Sequence, residues 1–140
     1  MQVKDIMTKK PQFIHPETTL LEAAQLMNQQ DFGFLPIGED DKLVGMVTDR
    51  DLTIRGTAQG FDPKITPVNK VMTQKVLYVF ETDDVEDALK NMQEQQIRRL
   101  IVLNDKTNKR MTGIISLGDC AKKSGNDESC GETLEKICSS

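Results

Sequence analysis

The chain has 140 residues, 37% of them apolar and 29% charged, with a formal net charge of −4, a size that supports one compact domain or two small halves sharing a core. No apolar run approaches the roughly 20 residues that cross a bilayer, and the opening MQVKDIMTKK lacks the apolar core of a signal peptide, so the cytoplasm is the expected location and no membrane partner is expected. The 18 Lys and Arg are scattered among 22 Asp and Glu rather than clustered, which argues against a nucleic-acid surface.

The first segment, VKDIMT at residues 3–8, returns as VNKVMT at residues 68–73, an offset of 65. Next, TTLLEAAQLMNQQ (18–30) places Leu20, Ala23, Ala24 and Met27 at i, i+3, i+4, i+7, the stripe of an amphipathic helix. Thr19 and Glu22 have capping-box spacing at its start. Two apolar runs follow, FLPI (34–37) and KLVGMVT (42–48), which read as buried strands joined by a polar turn. A further helix is predicted from Asp49 or Arg50 through LTIRGTAQG.

The second half repeats this order. DDVEDALKNMQEQ (83–95) sets Val85, Ala88, Leu89 and Met92 in the same stripe, with Asp83 or Asp84 placed to accept the free N–H groups of the helix start. RLIVL (99–103) and RMTGIIS (110–116) are the matching strands, and GDCAKK the shorter last helix. The longer turn NDKTNKR moves the offset to 68, a change a hairpin tip absorbs. Each half therefore reads strand, helix, strand, strand, helix over about 50 to 60 residues, which buries too little surface to be stable alone. The expectation is an α/β (α+β) fold with repeat 1 at 1–60, the linker FDPKITP at 61–67, repeat 2 at 68–123, and a polar, mobile tail at 124–140.

The most specific repeated wording is GMVTDRD (45–51) and GIISLGD (113–119). A folding account is available for every part of it: Gly45 and Gly113 permit close strand approach, Thr48 and Ser116 cap the next helix, and Asp51 and Asp119 favour its first turn. The same geometry sets a hydroxyl and a carboxylate side by side at the lip of a sheet, near outward-pointing N–H groups, a set suited to ribose and phosphate. Elsewhere, His15 and the acidic residues Asp31, Glu39, Asp40 and Asp41 read as surface groups, and Arg50 and Arg55 read as a solvated helix face, with one of them near phosphate as the alternative. Cys120, Cys130 and Cys138 lack a CxxC pair and are expected as reduced, unligated thiols. No nucleophile with a base, and no carboxylate pair suited to acid–base work, supports an enzyme.

The order of these elements, DIMT, striped helix, FLPI or RRLIV, then G-h-h-[ST]-x-x-D with h apolar, occurs twice and resembles the cystathionine β-synthase (CBS) domain from residue 3 to about residue 123. The resemblance implies tandem β-α-β-β-α units forming one pseudo-twofold CBS pair, often as a dimer. It implies adenosine-containing ligands such as AMP, ADP, ATP, S-adenosylmethionine or NAD(H) in clefts between the units. On that resemblance Asp51 and Asp119 match a ribose-binding aspartate, and Thr48 and Ser116 the hydroxyl beside it. Arg98 and Arg99 match a basic pair that contacts phosphates. The first half has Gly33 and Phe34 there, so one cleft is expected to dominate, the Thr48–Asp51 one if the arginines reach it. The implied function is a non-catalytic regulatory module that requires no cofactor, takes an adenine nucleotide (AMP, ADP or ATP) as regulatory ligand, and signals to a regulated protein. A homodimer is implied, with Leu52 and Ile54 as apolar contributors. Two alternatives are carried forward: a redox- or metal-responsive protein acting through Cys120, Cys130 and Cys138, and an interaction scaffold with empty clefts.

Overall fold

The leading VKDIMT segment does not fold with the residues that follow it. In the computed structural model, which describes residues 1–9, 12–74, 76–123, 125 and 127–138, residues 1–11 join residues 77–140 in one compact unit, and residues 12–76 form the other. The leading segment is one helical turn, α1 (Val3–Ile6), and a short strand, β1 (Thr8–Lys9). Val3, Ile6 and Met7 are buried in a core otherwise built from residues 79–137. The repeats of the sequence and the compact units of the fold are thus divided at different places.

The unit of residues 12–76 contains α2 (Leu20–Gln30) and a hairpin of β2 (Phe34–Glu39) and β3 (Lys42–Thr48). Thr19 Oγ1 accepts the Glu22 N–H at 3.2 Å, the expected cap. Leu20, Ala23 and Met27 are buried, whereas Ala24 is exposed. The acidic turn has a conformational reason: Asp40 and Asp41 take φ of 53° and 65°, the left-handed pair of a two-residue hairpin, which Asp tolerates better than most residues. After β3 the chain winds as a π-type helix, Asp51–Gly56, then a 3₁₀ turn, Thr57–Gln59.

The other unit continues with β4 (Tyr78–Phe80), α3 (Val85–Gln95), β5 (Arg99–Leu103), β6 (Met111–Ser116), α4 (Leu117–Lys123) and α5 (Asp127–Cys138). Its sheet has the order β1-β6-β5-β4. The first unit has the same ladder in reduced form. Thr73 bridges Met46 on β3, and Ile14 bridges Ile37 on β2, matching the pairs Thr8 with Ile114 and Val79 with Val102. Each pairing respects the offsets of 65 and 68 seen in the sequence.

Two expectations are corrected. Asp84 occupies the N-cap of α3 without a side-chain cap bond, and Asp83 Oδ2 instead accepts the Phe80 N–H at 2.9 Å, closing the turn after β4. The tail expected to be mobile is helical over its continuous described stretch: 127–138 form α5, with Cys130, Thr133 and Ile137 buried. Residues 124, 126, 139 and 140 lie outside the described residues. The helix holds because it shares the apolar core of α3 and because the Gln93 amide is used twice. Its Nε2 donates to Thr133 Oγ1 at 2.7 Å, and its Oε1 accepts from Lys136 Nζ at 3.2 Å.

Truncation after Lys123 therefore removes two buried side chains of the core and leaves Gln93 unpaired. We expect a loss of at least about 3 kcal/mol and a fall in melting temperature of about 10 °C. Calorimetry on the truncated chain checks this, and an unchanged melting temperature would mean that α5 adds nothing to the core.

Candidate functional site

Both copies of the repeated motif fold into the same corner. At the end of β3, the Thr48 N–H donates to Asp51 Oδ2 at 3.0 Å, and the Asp51 N–H donates to Thr48 Oγ1 at 3.1 Å. At the end of β6, the Ser116 N–H donates to Asp119 Oδ2 at 3.0 Å, and the Asp119 N–H donates to Ser116 Oγ at 2.9 Å. Two backbone donors that a strand-to-helix corner would leave unpaired are satisfied each time. The second carboxylate oxygen is used differently. Asp51 Oδ1 lies 3.9 Å from Arg55 Nη1, and Asp119 Oδ1 lies 3.9 Å from Lys123 Nζ, both one helical turn on. Contacts that long to half-exposed cations are weak, so this oxygen can still accept hydrogen bonds from a ligand.

The motif glycines have a packing reason. A Cβ at Gly113 would lie 2.7 Å from the Thr8 carbonyl oxygen and 2.6 Å from Met7 Sδ. At Gly45 it would lie 3.1 Å from the Thr73 carbonyl oxygen and 2.9 Å from Met72 Sδ. The repeated Met-Thr of each leading segment therefore presses on the repeated glycine, and any side chain there would push the strand away. Val47 and Ile115 are fully buried. Folding alone accounts for the glycine, the apolar pair, the hydroxyl and the aspartate.

What surrounds the two corners differs. Arg98, Arg99 and Ser116 line one cavity of about 370 Å³, completed by Leu117, Gly118, Ala121 and Leu134. The β5–β6 register sets Arg99 directly opposite Ser116, and the Arg98 carbonyl accepts the Leu117 N–H at 2.8 Å. At the other corner Phe34 pairs with Thr48, and the Gly33 carbonyl accepts the Asp49 N–H at 3.0 Å, so Gly33 stands where Arg98 does and Asp49 where Leu117 does. The Asp49 carboxylate fills the space a side chain at 33 would need, with Oδ2 only 2.6 Å from the position of a Cβ. One corner thus carries two arginines and Lys123 against Asp119. The other balances Arg50 and Arg55 against Asp49 and Asp51.

Residues 3–55 and 68–126 each match the model of the CBS domain. The chain belongs to the CBS domain family. It is 42% identical to the CBS domain-containing protein YhcV of Bacillus subtilis over 96% of this chain and 94% of that one. Among solved structures, it resembles CBSX2 in complex with AMP, with a TM-score of 0.76, 25% identity, and coverage of 91% of this chain and 98% of that one. It also resembles the CBS domain pair of MJ0100 in complex with 5-methylthioadenosine and S-adenosyl-L-methionine, with a TM-score of 0.75, 26% identity, and coverage of 91% and 98%.

Several residues of this CBS protein outside the corners were candidates. His15 is exposed, its N–H donating to Thr18 Oγ1 at 3.1 Å and its ring edge-on to Phe13 at 6.2 Å. Arg55 Nη1 also donates to the Met72 carbonyl and Thr73 Oγ1, both at 3.4 Å, tying the π-type helix to the Met-Thr segment. Sequence reasoning passed over Asp49, Leu134 and the Arg98 Nη2 donation to Cys138 Sγ at 3.5 Å. The half-to-half alignment that sets Asp49 against Leu117 was the available signal for the first.

The cysteines divide into two kinds. Cys120 and Cys130 are buried in the core, while Cys138 is exposed. Burial, then the proximity of Cys130 and Asp119, pushes the Cys120 thiol up to about 12, so it stays protonated throughout the neutral range. Among the described residues no group of three or more His, Cys, Asp or Glu is placed to hold a metal ion. At pH 8 an aromatic disulfide reagent should modify one thiol in the folded protein, Cys138, and all three after unfolding. Rapid modification of two or three in the native protein would contradict the burial of the pair.

Proposed function

We propose that the protein is a cytoplasmic, non-catalytic regulatory module that binds an adenosine-containing ligand and passes the change to a regulated protein. We propose further that the Ser116–Asp119 corner is its phosphate-preferring site. The observation that carries this reading is the gathering of Arg98, Arg99 and Ser116 around one cavity beside the partly used carboxylate of Asp119. A phosphate leaving water needs cationic partners or N–H donors, and a ribose needs a carboxylate to accept its hydroxyl protons; that corner supplies both. CBSX2 with AMP and the MJ0100 pair with methylthioadenosine and S-adenosylmethionine share the adenosine moiety, which supports the ligand class. The Thr48–Asp51 corner, with Asp49 beside it, suits a ligand without phosphate. This reverses the dominance expected from the sequence. Ligand changes the module only to the extent that it binds one arrangement of the protein better than another.

Titration calorimetry with AMP and adenosine tests the assignment. Arg99→Ala should weaken AMP by about 10- to 100-fold and leave adenosine nearly unchanged, the range for losing a hydrogen bond to a charged group. Asp119→Ala should weaken both ligands, and Asp51→Ala should weaken AMP less than Asp119→Ala does. Absence of binding by every adenosine compound would overturn the sensor reading, and a larger AMP loss from Asp51→Ala would move the site to the other corner.

In the same reading the protein is a homodimer. Ile54, Phe61 and Ile65 are large apolar side chains exposed within twelve residues of the first motif helix and linker, the kind of surface that association covers. Sedimentation at micromolar concentration should give twice the 15.7 kDa chain mass. A single 15.7 kDa species would remove the proposal.

A further inference from the structure

Helix α5 lies beyond residue 126, where the match to the CBS domain ends. It nevertheless lines the cavity of the Ser116 corner through Leu134 and touches one of the cavity's other lining residues through Cys138. Leu134 lines the cavity and is 44% exposed, although it is a large apolar residue on a helix that buries its neighbours Thr133 and Ile137. At the end of the helix, Cys138 Sγ accepts a hydrogen bond from Arg98, one of the two arginines of the same cavity.

The helix is held firmly enough for these contacts to matter. Thr133, fully buried, accepts from Gln93 and donates to the Ser129 carbonyl at 2.8 Å, and Ile137 and Cys130 belong to the core. Rotation of α5 would break this set, so Leu134 and Cys138 have fixed positions relative to β5 and β6. The cavity, at about 370 Å³, falls at the small end of the roughly 300–1,000 Å³ that small-molecule sites occupy. Its lining mixes two guanidinium-bearing residues and a hydroxyl with Leu117, Ala121 and Leu134. That mixture fits a ligand with one anionic end and one flat or apolar part.

We infer that α5 is a wall of the ligand site, with Leu134 packing on the non-phosphate part of a nucleoside monophosphate and Cys138 holding Arg98 in position. The inference rests on the assignment of the Ser116 corner as the phosphate-preferring site and assigns to an element outside the CBS match a share in choosing the ligand. A charge introduced at residue 134 should then be felt by a phosphate bound in the same small cavity, with a sign that depends on the charge. Because the position is exposed and helical, Glu and Lys are both tolerated by the backbone.

The test is AMP and adenosine titration of wild type, Leu134→Glu, Leu134→Lys and Arg99→Ala at low salt. Leu134→Glu should weaken AMP by about 3- to 10-fold relative to Leu134→Lys, while adenosine binds the two variants equally, which also shows that both are folded. If wild type binds AMP and Arg99→Ala weakens it, but the two Leu134 variants bind AMP alike, α5 is not part of the site and only this inference falls. If wild type binds neither compound, both this inference and the functional reading beneath it fall.

Discussion

The reciprocal bond between a hydroxyl residue and the aspartate three positions on is the interaction on which the rest of each unit depends. It sets the angle at which strand turns into helix, and it does so by satisfying two backbone N–H groups that have no partner within either element. Because the carboxylate spends one oxygen on this and holds only a distant cation with the other, the residue that shapes the corner also presents an acceptor there. The cap and the remaining acceptor share the same side chain. A substitution of Asp51 or Asp119 therefore costs stability, about 1 kcal/mol for a lost cap, before any ligand is considered.

The corner is in turn held by the exchange of leading segments. Each motif glycine is pressed by a Met-Thr pair, yet the pair that presses Gly113 comes from residues 7 and 8, and the one that presses Gly45 comes from residues 72 and 73. Neither sequence repeat contains all the parts of a complete sheet. The duplication is thus a condition of folding as well as a duplication of candidate sites, which is the physical reason that about 60 residues, marginal on their own, come in a pair.

Much of this was legible in the sequence. The two striped helices, the four strands of the hairpins and the glycine and cap roles all follow from period, spacing and residue type. The exchange was not, because identical Met-Thr segments carry no mark of which sheet they join. Helix α5 was missed for a different reason. Cys130, Thr133, Leu134 and Ile137 have helical spacing, but two of the four are polar or weakly apolar, and the surrounding Gly, Ser and Glu read as tail. Ala24 shows the reverse error: it sits in the stripe, but only its counterpart Leu89 is buried, in the unit where α3 has an extra helix packed against it.

The two corners share a scaffold and differ in the residues set around the clamp. In [ST]-x-x-D the outer residues are committed to the clamp, and the glycine and apolar pair before them to packing. The first variable position is Asp49 in one copy and Leu117, buried in the core, in the other; the second is Arg50 or Gly118, and the residue whose carbonyl receives the first helical N–H is Gly33 or Arg98. Those positions, together with Phe34 against Arg99, are where the charge of the two corners diverges. A duplicated unit can therefore keep one clamp and carry two different charge patterns, because the clamp itself fixes only its hydroxyl and its aspartate.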